Sequence, residues 1–247
     1  LGKTNMNDWF AEAPWGASTL GGQTLNPYAL EYVPGGSSSG SGAGIAAVFA
    51  QVSFGSETGV SIRNPTSEAN LVGLAPTLGL VSRTGMTMNA LTHERGGPMC
   101  RSVYDLAATL EAVAGFDPED LVTMASRGKI PEGGYTQYVD PDTGLVGARV
   151  GVLREMFRPG EVHEEATSLI EVAIDQLKQA GATVIDPIST GLPLLSLATN
   201  TRVSAWEKKA ATDYYLSGLG PDAMYKDMTE MIEENPEHLE RLRERDN

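Results

Sequence analysis

Cysteine occurs once in 247 residues and histidine three times, and no apolar run approaches the ~18 residues that a membrane-spanning helix needs. The single Cys100 excludes an intrachain disulfide and a cysteine-built metal cluster. His93, His163 and His238 are too scattered for zinc ligands of ordinary spacing. Basic residues are in deficit as well, 18 Lys and Arg against 32 Asp and Glu. The resulting net charge of −14 repels nucleic acid phosphates and anionic membrane surfaces. The opening LGKTNMNDWF has neither the basic start nor the apolar run of a signal peptide. It does not begin with methionine, so residue 1 is not expected to be the natural start. A cytoplasmic setting fits these features.

What is present is a globular composition, 41% hydrophobic and 20% charged. Glycine is concentrated early, with 16 of the 28 in the first 100 residues, where serine and threonine also crowd. Such a stretch favours tight turns and close backbone approach over regular surface helices. Apolar runs such as IAAVFAQV and LVGLAPTLGLV punctuate it, so it is expected to fold. Beyond residue 100, Ser102 precedes an apolar stripe (Val103, Leu106, Ala107, Leu110, Val113), which predicts a capped helix ending by Gly115. Asp105 is expected to complete that cap. Residues 116–147 read as a long surface connection. A strand over 148–153, a helix over 161–180 and a strand over 182–186 form a strand–helix–strand unit at 148–187, which implies neighbouring parallel strands. The face Ala166, Leu169, Ile170, Ala173 and Leu177 is expected to be the helix's buried one, with Gly181 its stop. From 198 to 247 the chain reads as a helical, charged tail broken at Pro236.

The chemistry is expected in residues 34–65, PGGSSSGSGAGIAAVFAQVSFGSETGVSIRNP. Two serine-bearing glycine loops flank a helix of small residues and a short strand near Val52. A serine on such a loop can have backbone N–H groups converging beside it to hold a developing oxyanion. Serine still needs a base, and none of the three histidines makes a convincing partner. Residues 36–40 match G-x-S-x-G literally but follow Val33-Pro34 instead of a strand, which argues against a nucleophile elbow. Gly2-Lys3-Thr4 as a phosphate loop and Ser126-x-x-Lys129 as a β-lactamase-type pair are read as chance matches. His93 is read as a loop hydrogen-bonder and Cys100 as core packing beside the 102–114 helix.

The block resembles the amidase signature, roughly GGSSGGS, a small-residue helix, GTDTGGSIRxPA and GLKPT. These stand here at residues 35–41, 55–65 and 73–77. GKTNMNDW, GGQTLNPY, GGPMCRSVYDLAATL, ARVGVLRE, GATVID and SAWEKKAATDYYLSGLGPDA extend the likeness over almost the whole chain. What the resemblance implies is an α/β fold for residues 1–247. It would be an α/β/α sandwich with a mixed, mostly parallel central sheet, incomplete at both ends. It implies hydrolysis of linear carboxylic amides, with Ser61 as acylated nucleophile and Ser37, after a cis Gly36–Ser37 bond, as bridging serine. The oxyanion donors would be the backbone N–H groups of Thr58, Gly59, Val60 and Ser61. The family's lysine base lies upstream of GKTN, so it falls outside this chain, and Lys3 is not its counterpart. No metal or organic cofactor is implied. A small-molecule amide is the expected partner, without nucleic acid or membrane, and a homo-oligomer is permitted. The alternative is a catalytically silent family fragment serving as a binding or scaffold module. Val60 stands where the family has glycine; a β-branched residue resists positive φ, so the loop is expected to be reshaped there.

Overall fold

The computed structural model describes residues 2–8, 15–140, 142, 144–157, 160, 164–200 and 203–236, with the side chains of 198–200 excepted. Contacts divide the chain into two units, residues 1–139 with 203–247, and residues 140–202.

In the first unit a two-residue hairpin, β1 (Ala17–Ser18) and β2 (Gly22–Gln23), precedes the glycine–serine block. Helix α1 (Ser39–Ala46) is buried on nearly all sides. With side chains no larger than serine except for Ile45, it sits tightly against its neighbours. Strand β3 (Val52–Glu57) follows, then α2 (Arg63–Glu68) and the short β4 (Val72–Gly73). Strand β5 (Arg95–Cys100) is the centre of an antiparallel sheet of order β3-β5-β4, with Val52 opposite Cys100 and Glu57 opposite Arg95. Its sequence, RGGPMC, reads as a breaker by propensity. Tertiary packing overrides that reading, because a Cβ on Gly97 would collide with the Leu74 carbonyl and crowd Pro76 and Ile62. Helix α3 (Val103–Val113) begins as its sequence predicts, with Ser102 Oγ accepting from Asp105 N at 3.1 Å. The Asp105 carboxylate turns elsewhere and accepts from Gln51 Nε2 at 3.0 Å. Cys100 is buried, its Sγ 3.9 Å from Thr109 Oγ1 on α3.

The stretch after α3 is the surface connection expected of it over most of its length, but it is anchored by three buried polar residues. Asp120, Thr123 and Ser126 are buried, and Asp120 takes a two-oxygen grip on the buried Arg83 guanidinium. Ser126 Oγ donates to Thr123 O at 2.8 Å, which gives that serine a structural role away from Lys129. Later in this unit come α6 (Ser204–Ser217) and α7 (Met228–Glu233). The tail thus already breaks between Ser217 and Met228, and the charged ERLRERDN end lies outside the described residues.

The second unit contains β6 (Arg149–Gly151), α4 (Glu164–Gln179), β7 (Thr183–Ile185) and α5 (Leu194–Asn200). Strands β6 and β7 pair in parallel across the helical crossover, and among the described residues parallel pairing is confined to them. Gly181 closes α4 at φ 99° as the sequence predicts. The buried residue of α4 is Ile174, whereas Leu169 and Ile170 are exposed, so the helix is rotated from the face its apolar spacing suggests. No described helix is long and apolar enough to cross a membrane.

Candidate active site

Two loops meet between α1, β3 and α2. The first carries Ser37 and enters α1; the second leaves β3 at Glu57 and enters α2 through Ser61. Ser38 N donates to Ser61 O at 3.3 Å, and Gly36 N donates to Asn64 Oδ1 at 2.9 Å. Ser38 Oγ also accepts from Ser56 N at 3.2 Å. The two serine loops are therefore joined by bonds on both sides of Ser37. The Gly36–Ser37 peptide is cis. Ser37 is 1% exposed, and its Oγ has no hydrogen-bond partner among the described residues.

The N-terminal segment buttresses this loop. Asn7 N donates to Ser37 O at 3.1 Å and Gly40 N to Asn5 O at 2.9 Å. Thr4 Oγ1 and Ser41 Oγ lie 3.0 Å apart. Gly36 has no room for a side chain, since a Cβ there would strike the Asn7 amide and the Trp15 ring. Lys3 is exposed, and no described lysine meets the Ser37 hydroxyl.

The turn of residues 58–61 is pinned at its base by Glu57. This fully buried carboxylate accepts from Ile62 N and Arg63 N at 3.0 Å each and from Arg63 Nε at 2.8 Å. Thr58 Oγ1 donates to Glu94 Oε2 at 2.5 Å, and Arg63 Nη2 reaches Gly59 O at 2.5 Å. No hydrogen bond within the described residues uses the N–H groups of Thr58, Gly59, Val60 or Ser61. Four N–H donors of one turn are thus unused among the described residues. Val60 is not among the described non-glycine residues at positive φ, which are Val48 and Asn70. It is 45% exposed.

Glu57, Asn64 and Glu94 were not singled out by the motifs. For Glu57 the available signal was an acid between two glycines in GSETG. For Glu94 it was a charge entering the Gly-Gly-Pro strand, where attention falls first on His93, which is exposed. Burial pushes the Glu94 carboxyl above the ordinary range, partly countered by hydrogen bonds from Thr58 and Asn89. Among the described residues no group of three or more His, Cys, Asp or Glu could hold a metal ion.

This mixed α/β chain thus brings two serine-bearing loops together beside a turn whose amides are unused among the described residues. The family model described as Amidase matches residues 1–244, and the chain belongs to that family. A glutamyl-tRNA(Gln) amidotransferase subunit from Ralstonia pickettii is 40% identical over 206 residues, which cover 81% of this chain and 41% of that protein. The crystal structure of native peptide amidase from Stenotrophomonas maltophilia superposes with a TM-score of 0.83 at 36% identity, covering 97% of this chain and 48% of the other. The corresponding glutamyl-tRNA(Gln) amidotransferase subunit from Thermotoga maritima gives a TM-score of 0.63 at 26% identity, covering 88% and 52%. The chain thus spans about half the length of the proteins it matches or less.

Proposed function

We propose that the protein hydrolyses linear carboxylic amides through a serine acyl-enzyme, and that residues 1–247 are part of one amidase-signature domain. The observation that carries this reading is the joining of the Ser37 and Ser61 loops, with the Ser37 hydroxyl buried and, among the described residues, without a hydrogen-bond partner, as are the amides of residues 58–61. Ser61 Oγ attacks the substrate carbonyl while its proton passes to Ser37 Oγ. Ser37 gives up its own proton to the neutral lysine that the family resemblance places upstream of Gly2. The carbonyl oxygen becomes an oxyanion held by the N–H groups of Thr58, Gly59, Val60 and Ser61. Collapse breaks the C–N bond; the proton returns through Ser37 to the leaving amine, and water then releases the acid by the same steps. No step runs through a metal or an organic cofactor.

Among substrates we favour free small amides over transfer to a tRNA-bound acceptor. The structural likeness is greater to the peptide amidase, and a chain of charge −14 repels tRNA. The test is hydrolysis of a panel of linear amides by the natural protein, by Ser61→Ala and by Ser37→Ala. Ser61→Ala should lose roughly 10³-fold or more in kcat, and near wild-type turnover by that variant would overturn the mechanism.

A second reading, a silent binding or scaffold module, is favoured by one observation: no described lysine meets Ser37. Comparing the 247-residue chain with a form extended at its N-terminus decides between them. The enzyme reading expects the extended form to gain about 10²–10⁴-fold, the usual worth of a general base. Equal turnover in both, abolished by Lys3→Ala, would make Lys3 the base; no turnover in either would favour the silent module.

A further inference from the structure

One buried carboxyl beside the turn has no part in that scheme. Glu94 is 1% exposed at the entry to β5. Its Oε2 accepts from Thr58 Oγ1 at 2.5 Å and from Asn89 N at 3.0 Å, while Oε1 has no hydrogen-bond partner within normal bonding geometry among the described residues, the Ser56 side chain being its polar neighbour. Glu94 N donates to Ala90 O at 3.0 Å, closing the approach to β5 into a turn. Two residues earlier, Thr92 is fastened to helix α6, its N and Oγ1 donating to the Glu207 carboxylate at 2.9 and 2.6 Å. The segment carrying Glu94 is therefore tied down independently of the residue it grips.

A purely packing role is a poor explanation of this residue. Burying a carboxyl costs free energy that an apolar side chain of similar size would avoid. Such costs are typically retained where they position chemistry. The residue gripped is Thr58, the first of the four whose amides are free. Glu57, its predecessor, holds the far end of the same turn through Ile62 and Arg63. The turn is thus clamped at both ends by buried acids, and donors fixed before reaction need no reorganisation when the oxyanion forms.

We propose that Glu94 is a positioning residue for acyl transfer, acting through the Thr58 hydroxyl to keep the amides of residues 58–61 aimed at the developing oxyanion. This inference rests on Ser61 being the nucleophile. Burial raises the proton affinity of the Glu94 carboxyl, and the hydrogen bond from Thr58 works against that rise.

The test uses the natural protein and a C-terminally amidated dipeptide, with kcat, KM and thermal melting measured for Glu94→Ala, Glu94→Gln, Thr58→Val and the double variant Glu94→Ala/Thr58→Val. Glu94→Ala should lower kcat about 10²-fold, the scale of a lost oxyanion-hole donor, with KM changed less than about threefold. Glu94→Gln keeps an acceptor for Thr58 and should retain kcat within about threefold. Thr58→Val should fall like Glu94→Ala, and the double variant should fall no further. Unchanged kcat in a folded Glu94→Ala, a Gln variant as slow as the Ala variant, or multiplying effects in the double variant would each overturn the role. Should Glu94→Ala not fold, Thr58→Val carries the test, and its undiminished kcat overturns the proposal. Ser61→Ala is measured alongside. Turnover by that variant means the nucleophile assignment has failed; a dead Ser61→Ala with a normal Glu94→Ala means that only the positioning role has.

Discussion

Each of the two units is organised by an arginine that holds carboxylates in a forked grip, and the two arginines differ in burial. Arg83 and Asp120 are about equally buried, with side-chain exposures of 7% and 8%. Asp120 Oδ2 also accepts from Arg83 N at 3.0 Å, and Arg83 Nη1 donates to Leu91 O at 2.5 Å. Arg154, in the 140–202 unit, bridges Glu171 and Asp186, with exposures of 33%, 46% and 23%. The bond chemistry is the same; the solvent is not. A buried pair that loses one partner leaves an uncompensated charge, whereas an exposed cluster exchanges its partners for water. The first unit uses buried polar groups to fix geometry around the serine loops. The second, whose described buried apolar residues are Val152 and Ile174, holds its parallel pair with an exposed ionic clasp.

This difference can be broken by mutation. Asp120→Ala should cost about 3–5 kcal/mol, lowering Tm by roughly 10 °C. It should also remove an acid-sensitive part of the stability. The Arg83 guanidinium holds the Asp120 carboxyl below the ordinary carboxylate range. Its stabilising contribution is therefore complete above that range and is lost as pH falls through the lowered value. The melting difference between wild type and Asp120→Ala should accordingly shrink as the pH is taken into the acid range, and a constant difference would contradict the pairing. Val48→Gly should act in the other direction. Val48 lies at φ 62° just after α1, a conformation that costs a β-branched residue about 1–2 kcal/mol, so glycine there should raise Tm by a few degrees. Arg154→Ala should change Tm least, by about 2 °C or less, with the change shrinking further at high salt. A loss as large as that of Asp120→Ala would erase the contrast between the units.

How much of this was legible in the sequence follows the range of the interactions. The Ser102 cap, the Gly181 stop and the β6–α4–β7 crossover were readable, because each depends on residues within a few positions or on simple periodicity. The serine loops were readable through their motif spacing. Strand β5 was not, because RGGPMC becomes a strand only through pairing with residues some 40 positions away. Asp120 was hidden in a Pro- and Asp-rich stretch, since its partner Arg83 is 37 residues back. Glu57 and Glu94 escaped for a related reason. Their importance lies in which backbone N–H or hydroxyl they meet, and no residue pattern states that.

Every proposed chemical step begins at Ser61, and direct labelling tests that residue best. The natural protein would be treated with a serine-directed phosphonylating probe, digested, and mapped by mass spectrometry. The expected result is one adduct on Ser61 that is absent from Ser61→Ala and slowed in Ser37→Ala. An adduct on Ser37 instead, or undiminished labelling of Ser61→Ala, would contradict the assignment of the nucleophile.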